Sequence, residues 1–275
     1  MPGIEEFGPS VSPAPDLIYI QGVQMIFGPR SGNLDDNEVA GAYPWPDGPW
    51  VRSMMVTTLD GAFHGPDGLS DSISSSVDKA VFDAVRRFAD AVLVGAGTIR
   101  AERYGAMRVR PADLAARAAA RQAPAPVVAV VSGSLDLPWD TGLFTGSSLR
   151  PIVFTGPDPD PAARAEAEAH AEVVCCPADL AVDGRPPASF LIDTLIGRGL
   201  RRIVCEGGPH LLEELVAADL LDEADLTLSP VFAGLSHAAG TGLKEVARFE
   251  LVHLLEAEGF LMGRYVAPGR GRSES

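Results

Sequence analysis

The stretch VLVGAGTIRAERYG, residues 92–105, decides how the fold of this chain is interpreted. It begins with apolar residues, as in a buried strand, and runs into Gly95 and Gly97 where a helical segment starts. Glycines at such a turn let the backbone approach a ligand closely, because they carry no side chain. The stretch therefore predicts a strand followed by a helix, with a ligand-binding turn between them.

The side chains after this turn limit the kind of ligand. The Rossmann dinucleotide fingerprint is not met, because Arg100 stands where Gly or Ala is required. Thr98, Arg100 and Arg103 nevertheless combine a hydroxyl with two guanidiniums, which suit a nucleotide phosphate such as the 2′-phosphate of NADP. The alternative is a glycine turn flanked by solvated arginines, and the spacing alone leaves both open.

Further strands and helices alternate on both sides of this stretch. The apolar runs VRSMMVTTLDG, PVVAVVSG, PIVFTG, AEVVCC and RRIVCEGG are separated by segments with helical spacing. This alternation predicts an α/β fold with a mixed, mostly parallel sheet flanked by helices. The segment FELVHLLEAEGFLMGRYVAP has the pattern of two strands around a turn, which predicts an antiparallel C-terminal edge.

The chain divides into three parts by composition. Residues 1–49 are rich in Pro and Gly and are expected to form an irregular N-terminal extension packed on the body. Residues 50–267 carry the alternating pattern and form the main domain. Residues 268–275 are expected to be a flexible tail.

Charge and cysteine content exclude several classes of protein. The formal net charge of −15 argues against binding of nucleic acid or of an anionic membrane surface. Cys175, Cys176 and Cys205 form no CxxC pair, so neither a disulfide framework nor a zinc site is favoured. His170 and Glu172 resemble half of a zinc deaminase motif, but the P-C-x-x-C half is absent and no metal site is expected. With no signal peptide pattern, we expect a cytoplasmic protein.

A second glycine turn lies in IVCEGGPHLLEEL. Gly207 and Gly208 follow a buried-looking strand, and the proline after them suits the first position of a helix. Ligands of open α/β sheets collect at the carboxyl ends of the strands. Gly95, Ser132 and Thr155 stand at such ends too, so the pattern predicts one rim along which a dinucleotide lies.

Two acidic residues stand next to this rim. Asp60 follows the strand VRSMMVTTL, and Glu206 immediately precedes the second glycine turn. Either carboxylate could hold a heterocycle or relay a proton. Each could equally be an ordinary turn residue, since Asp-Gly pairs commonly form turns.

Three segments together resemble a known family. MMVTTLDGAF, DKAVFDAVRRFADAVLVGAGTIRAE and RRIVCEGGPHLLEELVAADLLDEADLTLSPVFAG are similar, in order and spacing, to the reductase domain of the bacterial bifunctional riboflavin-biosynthesis deaminase-reductase. The resemblance runs from about Trp50 to Ala267 and implies a dihydrofolate-reductase-like fold and a homodimer. It also implies NADPH as hydride donor and 5-amino-6-(5-phosphoribosylamino)uracil as substrate, reduced to the ribitylamino form. The deaminase half has no counterpart here, so a free-standing reductase is expected.

The resemblance also assigns roles to individual residues. The cofactor would lie against the two glycine turns, Thr98 and Arg100, with Ser132 and Thr155 as further cofactor contacts. The resemblance places Asp60 at the substrate and nicotinamide end, where it would act as the catalytic acid.

One departure from the family affects the substrate side. Where the family has an Asp-Asn-Pro turn, this chain has Glu102, Arg103 and Tyr104, and Arg108 is the expected replacement for a substrate-binding arginine. Glu102 and Arg108 would then hold the sugar-phosphate end, and Glu206 would line the same site. Two alternatives stay open: reduction of a pterin such as dihydrofolate, and a protein that binds NADP(H) without turnover.

Overall fold

The computed structural model describes residues 22–102, 104–234, 243 and 245–270. One eleven-stranded sheet runs through it in the order β2-β1-β10-β11-β9-β3-β8-β4-β5-β6-β7. The strands are β1 (Gln24–Phe27), β2 (Gly32–Asn33), β3 (Trp50–Thr57), β4 (Ala91–Gly95), β5 (Val127–Val131), β6 (Ile152–Thr155), β7 (Glu172–Cys175), β8 (Arg202–Cys205), β9 (Glu223–Leu228), β10 (Glu250–Ala257) and β11 (Phe260–Val266). The α-helices are α1 (Asp36–Ala42), α2 (Ser76–Arg86), α3 (Ala96–Ala101), α4 (Leu114–Ala119), α5 (Gly142–Gly146), α6 (Pro161–His170), α7 (Ala188–Gly197) and α8 (Pro209–Ala217).

The strands from β9 to β7 in the sheet order are parallel to one another. Helices α2, α3 and α6 pack on one face of this part, and α7 and α8 pack on the other. The central strand β4 is fully buried up to Gly95 because both of its faces are covered. The predicted mostly parallel α/β sheet is therefore confirmed, and the carboxyl ends of its strands share one edge.

The antiparallel end of the sheet is larger than the sequence predicted. β11 pairs with β9 and β10 pairs with β11, as the C-terminal pattern predicts. β1 then pairs with β10, and β2 pairs with β1. The description of residues 1–49 as irregular is therefore wrong for 24–42, where two strands and a helix are formed, while residues 1–21 and 271–275 lie outside the described residues.

Helix α1 and the loop after it are fixed to the sheet by specific contacts. Asp35 and Glu38 form a capping box at the start of α1. Arg52 of β3 donates hydrogen bonds to the carbonyls of Tyr43 and Pro44 at 3.2 and 2.7 Å, and its guanidinium lies 3.8 Å from the ring centre of Trp45. Arg52, which makes these contacts, belongs to the main domain. The sequence of residues 1–49 alone therefore does not predict them.

A cluster of charged side chains is buried beneath this segment. The Glu223 carboxylate is fully buried and accepts hydrogen bonds from Trp50 at 3.0 Å and from Arg264 at 2.9 Å. Arg52 lies 3.2 Å from its other oxygen. Burial, followed by the charge of Glu223, raises the pKa of the neighbouring Asp225 well above its usual value. One carboxylate therefore carries most of the charge compensation for two buried arginines.

His253 makes the stability of this region sensitive to pH. Burial, followed by the charge of Arg264, lowers its pKa to about 4. Between about pH 4 and the unfolded value near 6.5, the unfolded chain binds a proton that the folded chain does not, so stability falls as the pH is lowered through this window. We expect wild type to lose more unfolding free energy between pH 7 and pH 5 than His253→Leu, measured by urea unfolding. Equal losses in the two proteins would contradict this assignment.

Candidate ligand-binding cleft

A cleft of about 1540 Å³ opens at the carboxyl ends of the parallel strands. Its walls come from α2 and the loop before it, from the β4–α3 turn, and from the start of α8. A pocket for one drug-sized ligand has a volume of about 300–1,000 Å³. This cleft can therefore hold two ligands side by side.

The two predicted glycine turns meet in one wall of the cleft. The N–H of Gly95 donates to the carbonyl of Gly207 at 2.7 Å. A Cβ at Gly208 would lie 3.2 Å from the hydroxyl oxygen of Thr98, whereas a Cβ at Gly97 would meet nothing within 4 Å. Gly97 therefore faces open space in the cleft, and the structure brings the predicted glycines and Thr98 together.

Gly207 has a separate structural requirement. Its φ is +85°, and a Cβ there would lie 2.9 Å from the sulfur of Met55. The positive φ strains any residue with a side chain here, and the Met55 side chain would have to shift to admit a Cβ. The second glycine turn can therefore approach β3 and β4 only because it consists of glycine.

The other three predicted cofactor residues are placed differently. Arg100 lines the cleft and donates to the carbonyl of Asp136 at 2.9 Å. Ser132 is buried and accepts a hydrogen bond from the N–H of Leu135 at 3.0 Å, so it holds its own turn. Thr155 is fully buried at the end of β6 and does not line the cleft. Strand ends position the backbone at the rim, but the side chains of Ser132 and Thr155 point away from it.

Two predicted substrate residues, Glu102 and Glu206, also line the cleft. Glu102 accepts a hydrogen bond from the N–H of Ser70 at 2.6 Å, which joins the end of α3 to the loop before α2. Glu206 is buried, and its two oxygens accept hydrogen bonds from Arg86 at 2.6 and 2.9 Å. The hydroxyl of Tyr104 donates to the same carboxylate at 2.8 Å.

The sequence analysis missed Arg86 as a cleft residue. Arg86 is the last residue of α2 and follows the apolar residues that predicted this helix. Its position in the sequence gives no sign of a site. Tyr104 was noted only as part of a changed turn. Burial, followed by the charge of Glu206, raises the pKa of its hydroxyl well above the usual value, so Tyr104 stays protonated and donates.

Asp60 does not lie in the cleft. Its carboxylate accepts a hydrogen bond from the Thr58 hydroxyl at 2.5 Å, and the backbone N–H groups of Ala233 and Gly234 donate to it at 3.2 and 2.8 Å. The hydrogen bond from Thr58, together with those from the backbone, lowers its pKa. A carboxylate that is ionised at neutral pH is a poor proton donor. These contacts give Asp60 a role in holding the turn, and its catalytic role stays a prediction.

Replacement of Asp60 tests whether the residue acts in catalysis or only in the turn. We expect Asp60→Asn to keep the rate of NADPH oxidation within about threefold of wild type, because an amide oxygen in the place of Oδ1 can still accept the hydrogen bonds from Thr58 and Ala233, two of the three. Initial rates at saturating substrate provide the measurement. A loss of several orders of magnitude in a folded protein would restore the acid role.

Arg108 is also placed away from the cleft. It is exposed, and its guanidinium approaches Gly146 of α5, where a Cβ would lie 3.4 Å from it. Arg108 is not among the residues that line the cleft, and its substrate role stays a prediction. Arg103 lies outside the described residues.

A further buried carboxyl, that of Asp78, lines the cleft and was not predicted. Asp78 is on the first turn of α2 and is 3% exposed. Its two oxygens accept hydrogen bonds from the hydroxyls of Ser74, at 2.6 Å, and Thr227, at 2.7 Å. Burial raises its pKa, although these two hydrogen bonds oppose that effect.

The described part of the chain holds neither a metal-binding cluster nor a membrane-spanning helix. No group of three or more His, Cys, Asp or Glu side chains there is arranged to hold a metal ion. No helix within the described ranges is long and apolar enough to cross a membrane.

The fold and the cleft together define an α/β protein that binds small molecules at the carboxyl ends of its sheet. Most of the chain, residues 49–258, matches the model of the RibD C-terminal domain. The chain belongs to this family, and the resemblance stated from the sequence is confirmed. A curated relative is the 2,5-diamino-6-ribosylamino-4(3H)-pyrimidinone 5′-phosphate reductase of Archaeoglobus fulgidus, 29% identical over 68% of this chain and 82% of the relative.

Solved structures share the fold. A pyrimidine reductase-like protein from Corynebacterium diphtheriae superposes with a TM-score of 0.68 at 24% identity, covering 80% of this chain and 92% of that one. The Thermotoga maritima diaminohydroxyphosphoribosylaminopyrimidine deaminase/5-amino-6-(5-phosphoribosylamino)uracil reductase gives a TM-score of 0.60 at 19% identity, covering 80% of this chain and 57% of that one. The second match spans little more than half of a longer chain.

Proposed function

We propose that this protein is an NADPH-dependent reductase of a ribosylamino-pyrimidine 5′-phosphate, a precursor of riboflavin. The observation that carries the proposal is the cleft, which is lined by residues of both glycine turns and by the carboxylates of Glu102 and Glu206. The name of the archaeal relative supports this substrate class. The substrate predicted from the sequence is the aminouracil form, whereas the relative is named for the diaminopyrimidinone form.

The glycine wall fits a nicotinamide dinucleotide. Gly95, Gly97 and Gly208 leave the backbone accessible along the cleft, and Thr98 adds a hydroxyl donor. Arg100 supplies positive charge at the same wall, held by a single carbonyl. When bound, the cofactor would supply a hydride to C1 of the substrate in its open-chain imine form, and the imine nitrogen would take up a proton from water. The residues of this wall would orient the cofactor and exclude water.

The carboxylates that line the cleft fit the substrate. Glu206 is held by Arg86 and Tyr104 in one orientation, so its remaining lone pairs can accept hydrogen bonds from the hydroxyl or amino groups of a substrate. Glu102 fixes the loop at Ser70, which closes the side of the cleft nearest to α2. Together these groups would position the reacting carbon with no covalent chemistry by the protein.

The rate of NADPH oxidation tests the proposal. Purified protein is offered the diaminopyrimidinone phosphate, the aminouracil phosphate and dihydrofolate separately, with NADH as a control for cofactor preference. We expect consumption with one or both pyrimidine phosphates. Consumption with dihydrofolate alone would replace the substrate class, and NADPH binding without any consumption would leave a binding protein.

We further propose a homodimer that forms through the antiparallel part of the sheet. Phe27, Leu254 and Leu226 follow one another across the strands in register, with Gly263 between the last two. Phe27 is 53% exposed and Leu226 is 38% exposed in the single chain. An exposed apolar row on a sheet is typical of a protein interface. Light scattering should show a dimer for wild type and a monomer for Phe27→Asp.

We also propose a cytoplasmic location. Cys175, Cys176 and Cys205 are free thiols, and two of them are buried. Free thiols are typical of proteins from reducing compartments.

A further inference from the structure

Arg185 is an exposed arginine that lines the cleft from the loop between β7 and α7. Within the described ranges, its guanidinium forms no hydrogen bond and no ion pair. Three other cationic side chains of the cleft are held by partners: Arg86 by Glu206, Arg100 by the carbonyl of Asp136 and Lys79 by Asp71. A guanidinium left without such a partner in a cleft indicates a site for an anionic ligand.

The turn that carries Arg185 is held in place by its backbone. Val182 and Arg185 exchange two backbone hydrogen bonds of 2.9 Å, and Gly184 between them has a φ of +73°. A Cβ at Gly156 would lie 2.2 Å from the carbonyl oxygen of Gly184, so the turn packs closely on the chain that follows β6. A turn fixed in this way loses little conformational entropy when its side chain binds a ligand.

The charged groups near Arg185 leave room for further negative charge. Glu214 of α8 also lines the cleft, and its partial burial raises its pKa. The charges of Arg185 and His210 oppose this effect, and the charge of Glu213 adds to it. Arg185 and His210, both of which line the cleft, therefore share a single cleft carboxyl that neither of them binds as an ion pair.

The order of the strands places Arg185 at one end of the cleft. β3, β8, β4, β5 and β6 are neighbours in this order. The two glycine turns follow β8 and β4, whereas the turn of Arg185 contacts the chain after β6. The start of α2 lies at the other end, because Asp78 there accepts a hydrogen bond from Thr227 of β9. Neighbouring strands lie about 4.8 Å apart, so β6 is about 10 Å from β4.

A dinucleotide along this edge can reach Arg185 with only one of its halves. Its pyrophosphate would lie at the glycine turns. The nicotinamide half must contact the substrate, which the proposed function places at Glu206, and Glu206 is bound to Arg86 of α2. The adenosine half therefore extends in the other direction over β5, where Val131 and Gly133 line the cleft.

We propose that Arg185 binds the 2′-phosphate on the adenosine half of the cofactor and determines the preference for NADPH over NADH. The two cofactors differ only in this phosphate monoester. The planar fork of a guanidinium matches two oxygens of a phosphate, which a lysine ammonium does not. This inference rests on the proposed function, which supplies the nicotinamide cofactor. It assigns the phosphate to a loop that the sequence analysis did not consider, since Arg100 and Arg103 were its candidates.

The dissociation constants of NADPH and NADH, measured by calorimetric titration without substrate, test the inference. We expect wild type to bind NADPH at least about 10-fold more tightly than NADH. Arg185→Gln should weaken NADPH binding about 10- to 100-fold, the usual effect of losing hydrogen bonds to a charged group. Binding of NADH should stay within about threefold of wild type, because NADH lacks the phosphate. Arg185→Lys should recover part of the loss, since it keeps the charge but not the fork.

A matched control separates a local contact from the overall charge of the protein. Arg121 is exposed and does not line the cleft. Arg121→Gln removes the same single charge and should leave both affinities unchanged. Because Arg185 is exposed and its guanidinium binds no described group, Arg185→Gln is expected to fold like wild type.

The outcomes separate this inference from the proposed function. Equal affinity of wild type for NADPH and NADH, or an unchanged preference in Arg185→Gln, would overturn the role of Arg185 and leave a reductase possible. If Arg185→Gln weakens binding of a pyrimidine phosphate and not that of NADPH, the anion is the substrate phosphate and the assignment to the cofactor is wrong. A preference for NADPH that Arg185→Gln abolishes, in a protein that oxidises NADPH with neither pyrimidine phosphate, would support Arg185 and overturn the proposed function.

Discussion

Glu223→Gln is expected to lower the free energy of unfolding by about 3–5 kcal/mol, the usual cost of removing one partner from a buried ion pair. Glu223 is fully buried, accepts hydrogen bonds from Trp50 and Arg264, and forms an ion pair with Arg52. The variant keeps the shape of the side chain and removes its charge. Two guanidiniums then remain buried beside a single carboxyl, that of Asp225.

Asp225 sets the size of this effect. Its pKa is raised partly by the charge of Glu223, so removing that charge lets Asp225 ionise more readily. The Arg52 Nε lies 4.0 Å from its oxygen, too far for a direct hydrogen bond. Asp225 can therefore compensate for only part of the lost charge, and we expect a value at the lower end of the range.

Urea unfolding of Glu223→Gln and of a surface control provides the measurement. Glu168 pairs with Arg164 at 2.7 Å on α6, with about half of each side chain exposed. Glu168→Gln should change stability by less than about 1 kcal/mol, because exposed ion pairs contribute little. Similar losses in the two variants would show that the buried cluster adds no more than a surface pair.

Gly207→Val is expected to weaken NADPH binding about 10- to 100-fold. A β-branched residue at a φ of +85° is strained, and its Cβ would lie 2.9 Å from the sulfur of Met55. Relief of this strain requires the turn to move, and with it the carbonyl that accepts from the N–H of Gly95. A cost of about 1–3 kcal/mol for such a backbone conformation corresponds to this loss of affinity.

Fluorescence titration with NADPH measures this effect. Gly197 lies at the end of α7, where a Cβ would meet nothing within 4 Å. Gly197→Val should keep wild-type affinity. Unchanged NADPH affinity in a folded Gly207→Val protein would exclude the glycine wall as the cofactor site.

The sequence predicted that the two glycine turns lie at one rim, because their placement depends on the backbone. β4 and β8 are buried apolar runs that end in glycines, and neighbouring parallel strands bring their ends together. Gly95 and Gly207 are in contact for this reason. Ser132 and Thr155 stand at strand ends too, but the direction of a side chain depends on packing, which spacing does not determine.

The substrate side was predicted less well because it depends on tertiary contacts. Glu206 and Glu102 are found at the cleft, but their partners Arg86 and Ser70 come from distant positions in the chain. Asp60 was predicted to lie at the site from its position after a strand and from the family resemblance. In the structure, the N–H groups of the segment after β9 bind its carboxylate, and this could not be foreseen from the local Asp-Gly pair.

Because β1 pairs with β10, the sheet extends beyond residues 49–258, the region that matches the family. A chain cut back to Trp50 would leave β10, an eight-residue strand, with unpaired N–H and C=O groups along its outer side. Such a bare strand recruits strands from other molecules. Residues 24–33 therefore protect this edge of the sheet from pairing with other molecules. A truncated version of this protein should begin before Gln24.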